Sequence, residues 1–285
     1  MKSLNAMGLA YGHAVAAKRR TVRFGLLVLG VCVVFSGHIT EFSFSKFVEN
    51  IGAFSSYIDR ISHLENGHWV VSDPVEWFWG WKKWLALMAE TLLMAYVGTL
   101  LGALGALLLC FFASKNMTAS TWTVFATKRL LEFSRTVPEI VFALIFVVAF
   151  SLGPLPGILA LAIHTTGALG KLFAEVVENI DMKPVEGVIA TGGSWVHKVR
   201  FAVLPQVASN FASYALLRFE INVRGAAVLG FVGAGGIGQT LLEVIRKFYY
   251  ADVSALLVLI IATVMLIDTF TEKIRHRLLG EQISS

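Results

Sequence analysis

The sequence predicts an all-α polytopic membrane protein with about six transmembrane helices. Of its 285 residues, 56% are hydrophobic and only 15% are charged. The mean hydropathy of +0.70 is above that of a soluble domain with a polar shell. Because the basic residues stand at the ends of apolar runs, the net charge of +5 indicates membrane orientation rather than nucleic-acid binding.

Six apolar runs carry this prediction, since a helix needs about 18 apolar residues to cross roughly 30 Å of hydrocarbon. The predicted spans are Phe24–Ile39, Trp84–Phe112, Pro138–Leu152, Ile158–Val177, Pro205–Gly230 and Val253–Asp268. Basic residues precede the first run, as in a signal peptide. No small-residue cleavage pattern follows Phe35, however, so we expect an uncleaved span.

Proline and glycine mark how these spans begin, pack and end. Pro138 and Pro205 are well placed as the first residues of helices. The GPLPG sequence at 153–157 predicts a tight turn between the third and fourth spans. Gly98, Gly102 and Ala106 recur every four residues in the second span and predict a ridge that lets another helix approach closely.

Most of the 24 Lys and Arg residues fall in segments that share one side of the membrane if both termini are cytoplasmic. The predicted parts are a cytoplasmic segment 1–23, a first transmembrane helix 24–39, an outer segment 40–83, a permease-like core 84–272 with a cytoplasmic loop 178–205, and a cytoplasmic tail 273–285. Within the outer segment, the tryptophan-rich stretch Glu76–Trp84 predicts an interfacial helix.

The sequence lacks the motifs of catalysis and cofactor binding. Gly233, Gly235 and Gly238 spell G-x-G-x-x-G, but a membrane helix precedes them where a dinucleotide site requires a strand. With Gly236, these glycines predict a helix break, either tightly packed or a hinge or gate. No phosphate-binding loop, H-E-x-x-H or G-x-S-x-G occurs. We expect no catalytic residue, metal or cofactor in this chain.

Ionisable residues inside predicted spans are costly and therefore candidates for function. Arg218, Glu220 and Arg224 lie in the fifth span and His164 in the fourth, while Glu139 follows Pro138. Pairs Glu220–Arg224 and Arg218–Asn222 could form along one helix face. Alternatively, the arginines face a water-filled anion path. We expect His164 to bond between helices and Glu139 to complement its helix dipole, with roles in the path or gate as the alternatives.

A polar, glycine-broken insert runs from Glu186 to Pro205 between two apolar runs. It resembles the coupling motif of binding-protein-dependent ABC importer permeases, whose pattern is E-A-A, three residues, G, nine residues and I-x-L-P. Glu186, Gly192, Leu204 and Pro205 match at the pattern's spacing, whereas Gly187, Val188 and Ala202 depart from it. The resemblance implies a type I ABC importer permease-like fold whose ATPase-coupling residues are Glu186, Gly187, Gly192, Leu204 and Pro205.

Within this insert, Ser194 is predicted to cap a short helix. Its apolar residues lean to one side and would dock in a groove of the ATPase subunit; they are Trp195, Val196, Val199 and Val203. A helix lying on the membrane surface is the alternative.

From about Trp84 onward the chain looks like the phosphonate transporter permeases, for example in RFEINVRGAAVLGFVGAGGIG (Arg218–Gly238). The resemblance implies a multi-pass permease homodimer in the bacterial cytoplasmic (inner) membrane, two ATPase subunits that bind ATP and Mg, and a periplasmic or lipid-anchored substrate-binding protein. The implied cargo is a phosphonate or a related oxyanion, phosphite or hypophosphite. A permease for another small anion or an amino acid is the alternative, and a membrane enzyme or channel is less favoured.

Overall fold

A computed structural model describes residues 2–40 and 43–283, nearly all of which are helical. The predicted segments 1–23, 40–83 and 273–285 include residues 1, 41–42 and 284–285, which lie outside the described residues. The chain divides into two units, 1–59 and 60–285. Its helices are α1 Lys2–Ile39, α2 Phe44–Ile61, α3 Pro74–Trp77, α4 Trp81–Ala113, α5 Thr121–Thr136, α6 Glu139–Phe150, α7 Pro154–Glu178, α8 Lys183–Ala190, α9 Trp195–His197, α10 Leu204–Leu229, α11 Gly236–Arg246 and α12 Tyr250–Ile283.

The described residues contain the six predicted spans if two bent helix pairs are each counted as one. Among these residues, four stretches are long and apolar enough to cross a membrane: Lys18–Ile39, Trp81–Ala113, Pro154–Glu178 and Tyr250–Leu278. Two more spans arise only if bent pairs are counted as one each. Helices α5 and α6 meet at 85°, and the α10 segment meets α11 at 47°.

The stretch Glu76–Trp84, predicted as one interfacial helix, is divided between two helices in the structure. Helix α3 ends at Trp77, a turn follows, and α4 begins at Trp81. The indole of Trp77 donates to Ser254 Oγ at 3.0 Å, and the indole of Trp79 donates to Asp252 Oδ1 at 2.9 Å. Both indoles thus bind the start of α12. Residues two apart on a helix do not face the same way, so this pairing requires the turn.

The third and fourth spans also depart from the prediction. Helix α6 has 12 residues, or about 18 Å. It reaches the length of a span only together with α5, which lies between the predicted second and third spans. The GPLPG sequence is only partly a turn. The chain reverses at Ser151–Gly153, where Ser151 has φ 72° and Gly153 has φ 143°. Pro154 already opens α7, at a position where a missing N–H costs nothing.

The packing ridge predicted on the second span is confirmed. Helix α4 packs along α7, and a Cβ added at Gly98 would lie 2.8 Å from Leu161 Cβ. At Gly102 the added atom would lie 2.5 Å from Thr165 Cβ. The glycines therefore let two long helices approach closely, and this close pair supports the polar residues described next.

Candidate functional site

A buried polar network joins α4, α7 and α10 around Arg218. The side-chain amide of Asn222 donates to Thr99 Oγ1 and Thr165 Oγ1, both at 2.8 Å. The Nε of Arg218 donates to the same Thr165 oxygen at 3.4 Å. Thr165 is fully buried and Asn222 nearly so, whereas Arg218 is half-buried. The network holds one edge of the guanidinium against α7.

The predicted pair Arg218–Asn222 is absent among the described residues, because Asn222 binds the two threonines instead. The predicted pair Glu220–Arg224 is likewise replaced by contacts between α10 and α12. Arg224 Nη2 lies 2.7 Å from Asp268 Oδ2, and both side chains are partly exposed. The buried Glu220 accepts a hydrogen bond from the hydroxyl of Thr271. Arg224 and Glu220 therefore bind partners on α12, whereas the sequence spacing predicted that they pair with each other along α10.

His164 and Glu139 form a second polar pair beside this network. His164 Nδ1 lies 3.1 Å from the carbonyl oxygen of Val137 and donates to it, since a carbonyl can only accept. The other ring nitrogen lies 3.5 Å from Glu139 Oε2. The expected interhelical role of His164 is therefore confirmed. Glu139 is the first residue of α6, one residue after the predicted start at Pro138, and its carboxylate additionally reaches His164 of α7.

The glycine-rich segment that ends α10 is tightly packed. Gly233, Gly235 and Gly236 have φ of 88°, 82° and 73°, which other residues rarely adopt. A Cβ at Gly238 would lie 1.8 Å from the carbonyl oxygen of Ala227, so α11 folds directly against α10. The structure shows close packing at this break, and the role of these glycines as a hinge or gate stays a prediction.

Two residues of α4 bind the backbone at the start of α11. Thr91 Oγ1 accepts from Ile237 N at 2.9 Å, and Glu90 Oε1 accepts from Gly236 N at 3.3 Å. The N-terminal N–H groups of a helix need such acceptors. Glu90 thus anchors the glycine-rich segment to α4.

The coupling-like segment is helical. Glu186 lies in the first turn of α8 with an exposed side chain that makes no hydrogen bond or ion pair to the described residues. Gly192 ends α8 with φ 75°, its N–H donating to Ile189 O at 2.9 Å, while Gly193 N donates to Val188 O at 3.0 Å. This is a Schellman cap, which explains why glycine stands at that position.

The predicted docking face of the next helix is only partly available. Trp195 begins α9 after Ser194, as predicted, but its ring stacks on Phe112 of α4. Val199 and Val203 are buried in the chain's own core and cannot contact a partner. Trp195 still has 40% of its surface accessible, and the more exposed apolar side chains of this region are Ile189, Val196 and Phe201, at 48%, 63% and 62%.

Comparison with known proteins identifies the family. Residues 98–278 match the model of the binding-protein-dependent transport system inner membrane component. The chain belongs to this family. It is therefore a permease component of the inner membrane, and the family implies ATPase and substrate-binding partners.

Curated relatives and solved structures agree with this assignment. The permease is 42% identical over 199 residues to the phosphite transport system permease protein PtxC of Stutzerimonas stutzeri, covering 70% of this chain and 72% of that one. It is 38% identical to the phosphate-import permease protein PhnE of Mycolicibacterium smegmatis, covering 70% of this chain and 37% of that one. An inward-facing structure of the MetNI methionine ABC transporter has the same fold, with a TM-score of 0.60 at 21% identity over 72% of this chain and 98% of that one.

A further relative comes from Escherichia coli and is described as a candidate cryptic phosphonate transport system permease protein. The permease is 54% identical to it over 117 residues, which are 41% of this chain and 96% of that one.

Sequence reasoning about this permease missed three partners: Thr165 of Arg218 and Asn222, Thr99 of Asn222, and Asp268 of Arg224. Threonines inside apolar runs carry no signal of their own, because they usually bond to the preceding turn of the same helix. Thr99 does so as well, donating to Ala95 O at 2.6 Å. Asp268 stood at the predicted end of the sixth span, where a carboxylate at the membrane boundary is unremarkable.

Proposed function

We propose that this permease is the transmembrane subunit of an ATP-driven importer that moves phosphite, a phosphonate or hypophosphite into the cytoplasm. It works as a homodimer with two cytoplasmic ATPase subunits, which bind ATP and Mg, and with a periplasmic or lipid-anchored binding protein. The observation that carries the proposal is the 42% identity over 199 residues to a phosphite transport permease. The likeness to a phosphonate transport relative supports it.

The coupling part of the proposal depends on the exposed surface around α8 and α9. Glu186 offers a carboxylate without a partner among the described residues, and Ile189, Val196 and Phe201 offer apolar contact area. The ATPase docks here, on the cytoplasmic side. Because Leu204 and Pro205 open α10 without a break after this segment, a displacement of the docked surface moves α10 directly.

The anion part of the proposal depends on Arg218. Its guanidinium is half-buried within α10, and Thr165 occupies only its Nε. Four N–H groups at the other two nitrogens remain to bind oxygens of an anion. Arg224 is a weaker candidate, since Asp268 already compensates its charge. Gly233, Gly235 and Gly236 keep a gate role in this proposal through movement of the packed α10–α11 junction.

Inorganic phosphate is the second candidate cargo, because one relative at 38% identity is named a phosphate-import permease. The experiment is uptake into proteoliposomes that contain the permease, its ATPase and its binding protein, with labelled phosphite, methylphosphonate and phosphate supplied separately. We expect ATP-dependent accumulation of phosphite or methylphosphonate in preference to phosphate. Accumulation of phosphate alone would favour the second candidate, and accumulation of none of the three would refute both.

A further inference from the structure

Arg218 and Glu139 both retain hydrogen-bonding capacity that the fold does not use. Among the described residues, the guanidinium has one hydrogen bond, from Nε to Thr165. Glu139 has one polar contact, from Oε2 to His164 Nε2. Its other oxygen, Oε1, is left to accept. Polar groups inside a membrane protein are costly unless they are paired, so this unused capacity points to a ligand.

The two charged groups are neighbours through α7 and α10. Arg218 contacts Thr165 and Glu139 contacts His164, so consecutive residues of α7 hold them. Glu139 Oε1 also lies close to α10, since a Cβ added at Gly225 would be 3.0 Å from it. Gly225 is seven residues, or two turns, from Arg218 on the same face of that helix.

Glu139 and Arg218 form no ion pair among the described residues, so these two opposite charges do not compensate each other by direct contact. Two opposite charges that share a site without contact can both bind one ion. An anion held there would have oxygens facing the guanidinium and at least one atom facing the carboxylate.

The carboxylate restricts what that ion can be. An ionised carboxylate only accepts hydrogen bonds, so the atom facing it must carry a hydrogen. A phosphorus oxyanion that keeps one P–O–H group satisfies both sides. Sulfate has no such hydrogen near neutral pH, and a fully ionised dianion adds a like charge to Glu139.

We infer that Glu139 is a specificity-determining residue, which accepts the P–O–H hydrogen of a singly protonated phosphorus oxyanion while Arg218 binds its ionised oxygens. The inference deepens the proposed function and rests on it, and it narrows the cargo to phosphite and phosphonates, because the hydrogens of hypophosphite are bonded to phosphorus and not to oxygen. An oxyanion without such a hydrogen leaves Glu139 unpaired and is repelled by its carboxylate. The permease therefore discriminates against that ion in addition to any selection by the binding protein.

The test is competition binding to the purified permease–ATPase complex in lipid nanodiscs, with labelled phosphite as the probe. Against the wild-type complex, we expect sulfate to compete about 10- to 100-fold more weakly than unlabelled phosphite. In Glu139→Gln the amide can donate to sulfate. The difference in competing strength between sulfate and phosphite, called the gap below, should therefore narrow about tenfold while phosphite still binds. Glu132→Gln, on the adjacent α5, is the matched control and should keep the full gap.

An unchanged gap in Glu139→Gln, or sulfate competing as well as phosphite in the wild type, would overturn the inference alone. No binding of phosphite to the wild-type complex, together with no uptake, would overturn the proposed function and the inference with it. Should Glu139→Gln fail to assemble, Gly225→Ala displaces the same carboxylate from α10, and the gap should narrow in that variant too.

Discussion

Gly105 of α4 and Thr166 of α7 are in contact where these two helices pack. Enlarging Gly105 to alanine and reducing Thr166 to alanine, singly and together, tests that packing. A Cβ added at Gly105 would lie 2.7 Å from Thr166 Oγ1 and 3.1 Å from its Cγ2, but 3.5 Å from its Cβ. Gly105→Ala therefore collides with the two outer atoms only. Thr166→Ala removes those atoms and leaves an ordinary contact, so the double variant should fit.

The magnitudes follow from these distances. Overpacking a close contact costs about 1–3 kcal/mol of unfolding free energy, and the stiff χ1 of threonine in a helix limits its escape. Thr166→Ala gives up hydrogen bonds to Ala162 O at 2.8 Å and Gly102 O at 3.3 Å. Side-chain hydrogen bonds in membrane proteins average about 0.6 kcal/mol. The double variant should thus resemble Thr166→Ala, with a favourable coupling of about 1–3 kcal/mol.

The assay is the free energy of unfolding of the purified permease in mixed micelles, for the wild type, both single variants and the double variant. Gly30→Ala is the control, because nothing lies within 4 Å of its added atom. It should cost no stability, since alanine favours a helix. The close approach of α4 and α7 would be contradicted if Gly105→Ala left the free energy of unfolding unchanged. It would also be contradicted if the loss in the double variant equalled the sum of the losses in the two single variants.

Three further predictions concern the coupling surface and the charge pair. Gly192→Ala should destabilise the end of α8 by about 1 kcal/mol because of its φ of 75°, and should reduce co-purification of the ATPase. Phe201→Asp should also reduce co-purification of the ATPase while leaving the melting temperature of the permease unchanged. Val203 is fully buried, so Val203→Asp should prevent folding. Equal effects of the two substitutions on co-purification and melting temperature would contradict the assigned surface. Arg224→Gln should destabilise the permease by leaving Asp268 unpaired, and adding Asp268→Asn should restore most of the loss in the same melting assay.

The broad architecture was predictable because long apolar runs and proline positions are local signals. The second, fourth and fifth spans begin within a few residues of their predicted starts, and Gly98 and Gly102 pack as expected. The bent α5–α6 pair was not predictable from hydropathy. Its first half carries Lys128, Arg129 and Arg135, which resemble loop residues until the helix is seen to bend at Pro138.

The candidate site was predictable in its charged members and not in their partners. Arg218, Glu139 and His164 stood out because ionisable groups are rare in spans. The groups that they contact depend on how each helix is rotated about its axis against its neighbours. Sequence spacing within one helix does not determine that rotation. Asn222 illustrates this, since its four-residue spacing from Arg218 suggested a direct pair, whereas both bind Thr165.

The most direct test of the central claim, that Arg218 binds the transported anion, is ATP-dependent uptake of labelled phosphite by proteoliposomes carrying Arg218→Gln. Lys171→Gln on α7, which removes an exposed charge paired with Glu175 at 3.7 Å, is the matched control. The account predicts loss of uptake in Arg218→Gln with an intact permease–ATPase complex, and wild-type uptake in the control. Wild-type uptake in Arg218→Gln would contradict it.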